Sequence, residues 1–124
     1  MINNRLFQTT DVINKALQGT WARNETISAN IANVDTPGYK RQDVVFETYL
    51  RDAMKGTGKI SQEDLSRITP KRIQDMSSAS YRLDGNTVDI DTEMGYLAEN
   101  QLRYNALISQ VNYNFTRIKS VLNS

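Results

Sequence analysis

In the stretch MGYLAENQLRYNALISQVNYNFTRIKSVL, residues 94–122, Met94, Leu97, Gln101, Tyr104, Ile108, Val111, Phe115, Ile118 and Leu122 follow one another at alternating steps of three and four. That spacing is a helical seam held over four heptads. No proline interrupts it, and no glycine follows Gly95. Leu102, Leu107 and Val121 lie beside the seam and widen its apolar face. Asp89, Asp91 and Glu93 suit the positive end of a helix, and Arg117 and Lys119 the negative end. The pattern predicts one helix over about residues 92–122, roughly 46 Å long at 1.5 Å per residue.

A second seam lies near the other end. Ile13, Leu17, Thr20, Asn24, Ile27, Ile31 and Val34 repeat the same spacing and predict a helix from about Thr10 to Asn33. Thr9, Thr10 or Asp11 would cap its start. Two of its seam positions, Thr20 and Asn24, are polar, a device that fixes register at a cost in stability. Gly19 weakens the helix by up to about 1 kcal/mol relative to alanine but lets another helix approach closely. Pro37-Gly38 ends the segment, because proline disfavours helical geometry at Thr36 and the pair favours a turn.

Between the seams the periodicity lapses. Val44-Val45-Phe46 begins either a strand or a helix, and residues 61–68 hold one or two helical turns before Pro70. Asp84-Gly85 reads as a turn and Thr87–Ile90 as a short extended piece. The expected fold is mainly α: long N- and C-terminal helices pair as an antiparallel coiled-coil-like unit, and the irregular middle carries at most a short β element. The chain divides into an N-terminal helix within 1–36, a middle region over 37–90 that is most flexible at 51–80, and a C-terminal helix within 91–124.

Size and composition bear on this. A compact chain of 124 residues is about 35 Å across, so a 46 Å helix would protrude from it. Only 39% of the residues are hydrophobic, below the roughly 45–50% usual for a globular domain. An elongated helix pair buries one stripe per helix and leaves an outer apolar edge, which calls for association. The modest apolar content also predicts terminal helices that order fully only on assembly, when partners supply the burial.

The composition excludes whole classes of chemistry. There is no cysteine and no histidine. Disulfides, thiol nucleophiles, the usual zinc and copper sites and histidine-based triads are therefore out. No catalytic residue, cofactor or metal site is expected, and the chain reads as a non-enzyme. A net charge of +1 gives no long-range pull toward nucleic acid or anionic lipid. Asp84, Asp89, Asp91 and Glu93 crowd one stretch, but a calcium loop starting at Asp89 would need glycine and glutamate where Met94 and Asn100 stand. Turn and cap roles fit them better. Lys55–Lys59 lacks the spacing of a phosphate loop. Trp21 and the tyrosines match no nucleic-acid motif. No apolar run has the length of a secretory signal or a membrane span.

One stretch is more pointed. Ser28–Tyr39 places Asn30 and Asn33 nearly on one helical face, among the small residues Ser28, Ala29 and Ala32, just before the Pro37-Gly38 turn. It reads either as a capped helix end or as a packing junction whose asparagines bond neighbouring backbone. Ile27–Tyr39 resembles the N-terminal signature of bacterial flagellar axial proteins, the rod, hook and hook-associated group. The family's motif matches Asn30, Asn33, Thr36, Pro37, Gly38 and Tyr39. Within that group the chain is most similar to the basal-body rod proteins, and to their proximal branch. Gly19–Arg23 in the first helix and Leu83–Asp91 leading to Met94 carry that likeness.

The resemblance implies a structural subunit of the proximal rod, built helically from its terminal helices, which transmits torque and walls the export channel. It implies self-association and contact with FlgC-like rod proteins, a FliE-like adaptor, the MS ring and the flagellar export apparatus. The place implied is the basal body, reached by flagellar type III export without a Sec signal peptide. On this reading Leu17, Ile27, Ile31, Leu97, Tyr104, Ile108, Val111, Phe115 and Ile118 form the assembly seam. Another axial rod protein, FlgC-like, or a cytosolic coiled-coil adaptor are the alternatives.

Overall fold

The structure, a computed structural model, describes residues 2–54, 66–75 and 84–123. The elements run α1 (Ile2–Ala32), β1 (Gln42–Val45), α2 (Glu47–Met54), β2 (Lys71–Gln74) and α3 (Ile90–Asn123). Two long helices thus flank a small middle region, as the two seams predict. Among the described residues the chain is mainly α, with one two-stranded sheet.

α1 starts at Ile2, well before the expected start near Thr10. No proline or glycine occurs between Ile2 and Gln18, so nothing obliges the helix to begin at the polar Thr9-Thr10-Asp11 trio, which lies inside it. α3 begins at Ile90. Asp89 caps it, accepting from the N–H groups of Asp91 at 3.0 Å and Thr92 at 3.4 Å. The Val44–Phe46 cluster serves both expected forms, closing β1 and leading into α2. Ser66 and Arg67 are helical, and the rest of the helical segment expected over 61–68 lies outside the described residues or in the irregular approach to Pro70. Most of the segment expected to be flexible, 51–80, also lies outside them.

α1 and α3 pack antiparallel. Asn30 near the end of α1 meets Glu93 near the start of α3, and Thr20 further back meets Asn100 further on. The face that α3 turns to α1 runs through Glu93, Leu97, Asn100, Tyr104, Leu107, Val111, Asn114 and Ile118, the least exposed positions of the helix. Three of these are polar and buried. Among the described residues the core is correspondingly thin: Ile13, Ile27, Val44, Phe46 and Val88 are its buried apolar residues. Polar groups in such a seam fix the pairing register at a cost in stability, and among the described residues Asn100 Oδ1 and Asn114 Nδ2 have no hydrogen-bond partner. The Asn100 Nδ2 donates to the Thr20 carbonyl at 2.9 Å.

β1 and β2 pair antiparallel, Gln42 opposite Gln74 and Val45 opposite Lys71. The Asp75 N–H donates to the Arg41 carbonyl at 3.0 Å. In an antiparallel ladder this makes Gln42–Gln74 and Val44–Arg72 the non-bonded pairs. The main-chain groups of Gln42 and Val44 therefore point to one outer edge of the sheet, and those of Arg72 and Gln74 to the other.

Candidate assembly junction

The junction is built around Asn30, which α1 delivers fully buried beneath β1. Its Oδ1 accepts from the Gln42 N–H at 3.0 Å and the Tyr39 hydroxyl at 3.2 Å. Its Nδ2 donates to the Gln42 carbonyl at 2.8 Å and to Glu93 Oε2 at 3.2 Å. All the hydrogen-bonding capacity of the amide is thus used. The packing-junction reading of Ser28–Tyr39 is the one the structure realises at this residue.

Glu93, also buried, accepts through its other oxygen from Arg41 Nε at 2.5 Å. Arg41 in turn pairs with Asp75 and lies over the Tyr96 ring, 5.0 Å from its centre. Burial works against the charge on Arg41, but Glu93 and Asp75 together raise its pKa above the ordinary arginine value. One network therefore ties α1, the start of β1, the end of β2 and α3.

A second set closes α1. The Asn33 Nδ2 donates to the Ala29 carbonyl at 2.8 Å, and its Oδ1 accepts from the Thr36 hydroxyl at 3.0 Å. Asn86 comes from far along the chain and is also buried. Its Nδ2 donates to the carbonyls of Asn33, Val34 and Thr36, at 2.9, 3.1 and 2.7 Å. These carbonyls belong to the turn that follows α1, where those of Asn33 and Thr36 also accept from the N–H groups of Thr36 and Tyr39. Gly38 has φ +74° and donates its N–H to the Asp84 carbonyl at 2.7 Å, while Gly85 has φ +78° beside it. Both conformations favour glycine, so the two turns that face each other need it. Asp84 serves its own turn, accepting from the Asn86 N–H at 3.1 Å.

A third set fixes α2. The Arg23 guanidinium grips Glu47, donates to the Val44 carbonyl at 2.6 Å and covers the Phe46 ring. Burial opposes the charge on Glu47, yet the hydrogen bond and charge of Arg23 hold its carboxyl below the usual carboxylate range. Gly19 makes room for Phe46: a Cβ there would lie 2.4 Å from the ring. The close approach that Gly19 permits is thus to an aromatic side chain of the middle region rather than to a second helix.

The predicted seam residues fall into two groups. Leu17, Ile27 and Ile31 lie on the covered side of α1, and Leu97, Tyr104, Val111 and Ile118 on the α1-facing stripe of α3. Ile108 sits half-buried at the edge of that stripe. Phe115 stands 59% exposed on the same outer edge as Met94 and Leu122, the last 77% exposed. α3 thus carries a second apolar edge that, among the described residues, stands exposed. Among the described residues no group of three or more potential metal ligands occurs, and no helix is long and apolar enough to cross a membrane.

The family model described as "Flagella basal body rod protein" matches residues 14–40, which include Gly19, Arg23 and the whole Asn30–Tyr39 motif. The similarity to relatives extends much further. The FlgB flagellar basal body rod protein of Bacillus subtilis (strain 168) is 34% identical over 119 residues, 92% of each chain. The chain belongs to the flagellar basal body rod protein family. The FlgB proteins of Escherichia coli (strain K12) and Borreliella burgdorferi are 37% and 32% identical, over 82% and 93% of this chain and 83% and 96% of theirs.

As a rod protein, the chain shows what its family motif does physically. Asn30, Asn33, Thr36, Gly38 and Tyr39 all enter hydrogen bonds that join the end of α1 to β1 or to the Asp84–Thr87 turn. Arg23, Arg41, Glu47, Asn86, Glu93 and Asn100 are the junction residues that pattern reading passed over. Polar residues carry no apolar periodicity, and their partners lie too far along the chain for spacing to connect them. Arg23 and Asn86 are the exceptions with a signal, since they fall inside the Gly19–Arg23 and Leu83–Asp91 segments that carry the family likeness.

Proposed function

We propose that the chain is a structural subunit of the proximal rod of the flagellar basal body. It assembles helically through its terminal helices, transmits torque and walls the export channel. The observation that carries this is the likeness to FlgB rod proteins over nearly the whole chain. The exposed apolar edge of α3, with Phe115 and Leu122, supports the mode of assembly. Exposed apolar surface of that kind marks contacts with other chains, and head-to-tail contacts generate helical arrays.

The assembly seam on this reading comprises Leu17, Ile27, Ile31, Leu97, Tyr104, Ile108, Val111, Phe115 and Ile118. The residues inside the pair fix its register, and those on the outer edge meet neighbours. The neighbours are further copies, FlgC-like rod proteins, and a FliE-like adaptor at the MS ring. The subunit travels by flagellar type III export and works without catalysis. The three-part division at about residues 36 and 90 separates the two axial helices from the region that locks them. The terminal helices order fully on assembly, a reading supported by the polar seam and by the small apolar core.

A clean deletion in the source organism tests the function, scored for swimming and by electron cryotomography. Loss of rod, hook and filament, with the MS ring and export gate retained, is the expected result. Intact flagella would overturn the rod assignment and favour a cytosolic adaptor.

A further inference from the structure

The sheet has two outer edges, and the chain treats them differently. At the β1 edge, Asn30 takes both main-chain groups of Gln42 and Arg23 takes the Val44 carbonyl. Side chains of α1 thus stand where a third strand would pair. At the β2 edge, the main-chain groups of Arg72 and Gln74 point outward, and all four residues Lys71–Gln74 are exposed. Among the described residues, nothing bonds to that edge.

We propose that the β2 edge is a docking site for an extended acidic segment of a partner protein, which adds to the sheet as a third strand. Three observations select this occupant. A two-stranded sheet is marginal alone and gains from a third strand. The edge carries Lys71 and Arg72, neither of which meets a carboxylate among the described residues. Ile73 lies between Arg72 and Gln74, exposed, and lines a cleft of about 690 Å³ together with Tyr96. Side chains alternate along a strand, so a partner that alternates acidic and apolar residues sets a carboxylate opposite Arg72 and an apolar group opposite Ile73. A second copy of β2 paired parallel and in register is a poor occupant, because Lys71 and Arg72 would meet their own kind. The main-chain bonds supply affinity, and the charges and Ile73 supply choice.

The test uses the full unassembled chain and a capped eight-residue peptide alternating glutamate and valine, so its failure leaves assembly through the terminal helices untouched. Amide exchange followed by NMR is expected to slow at least about tenfold at Arg72 and Gln74 when the peptide is added. The slowing should weaken with salt and disappear in a Lys71→Glu, Arg72→Glu double variant. Gln74→Pro removes an outward N–H without touching a hairpin bond, and should abolish binding while the circular dichroism spectrum is unchanged. Unchanged exchange at Arg72 and Gln74 would overturn the proposal. So would peptide binding that survives Gln74→Pro, which would mean attraction by charge alone. Protection that rises with protein concentration, without peptide, would overturn the acidic partner in favour of a second copy.

Discussion

Asn30 holds both main-chain groups of Gln42, accepting its N–H at 3.0 Å and donating to its carbonyl at 2.8 Å. A side-chain amide on α1 thereby does for β1 what a neighbouring strand would do. The same amide reaches Glu93 on α3, so the end of one axial helix and the start of the other are set by a single residue. The family motif at this position has a direct physical use.

Replacing Asn30 with alanine leaves the half-buried Gln42 main chain and Tyr39 hydroxyl, and Oε2 of the buried Glu93 carboxylate, without that partner. Each such group costs roughly 1–3 kcal/mol, and partial relaxation limits the sum. Asn30→Ala is expected to lower unfolding stability by about 3 kcal/mol in urea titration. Asn30→Asp should be worse, because a carboxylate would face the Gln42 carbonyl and Glu93. A loss under about 0.5 kcal/mol would show that the junction does not hold the fold.

Gly19→Ala sets helix propensity against packing. Alanine should favour α1 by up to about 1 kcal/mol, but its Cβ meets the Phe46 ring at 2.4 Å. Overpacking of a buried ring costs about 1–3 kcal/mol. The variant is expected to melt below the wild type, and the double variant Gly19→Ala, Phe46→Leu to recover part of the difference. A single variant that melts higher would show that Phe46 has room to move.

Glu47 has its pKa lowered in the fold, since the hydrogen bond from Arg23 outweighs burial. A group of this kind contributes stability that is complete above its unfolded value, near ~4.3. That contribution is lost as pH falls through the lower folded value. Glu47→Gln should therefore melt below wild type at neutral pH, and the gap should close as the pH drops below about 4. A gap that stays constant from neutral to acid pH would mean the ion pair adds no stability.

Phe115→Asp and Ile108→Asp separate folding from assembly. Phe115 is mostly exposed, so its replacement should change monomer stability by no more than about 0.5 kcal/mol. Both variants are expected to be expressed and exported yet to form no rods in a strain lacking the wild-type protein. Rods built from either variant, seen in purified basal bodies, would remove that residue from the seam.

Circular dichroism of the dilute chain bears on ordering. The expected spectrum shows less helix than α1 and α3 would give together, the outer turns of both helices being unformed while the junction melts cooperatively. Sharp melting of a fully helical monomer would contradict assembly-coupled ordering.

The two long helices, the break at Pro37-Gly38 and the absence of histidine and cysteine chemistry were determined by the sequence alone, because these are local or compositional properties. A three-four periodicity, a missing N–H and a missing imidazole need no knowledge of neighbours. Asn30 and Asn33 were legible as a motif for the same reason. Which stripe of α3 faces α1 was a tertiary decision. Two overlapping stripes share Leu97, Tyr104, Val111 and Ile118, and apolar spacing favoured the edge through Met94, Ile108 and Phe115. The fold instead buries the edge through Glu93, Asn100 and Asn114. Burying a carboxylate is tolerable only once Arg41 and Asn30 stand beside it, and the chain brings them there from 52 and 63 positions away. The same holds for Asn86 at the end of α1 and for Phe46 over Gly19. Long-range polar satisfaction depends on where the backbone has already gone, and only the folded chain contains that information.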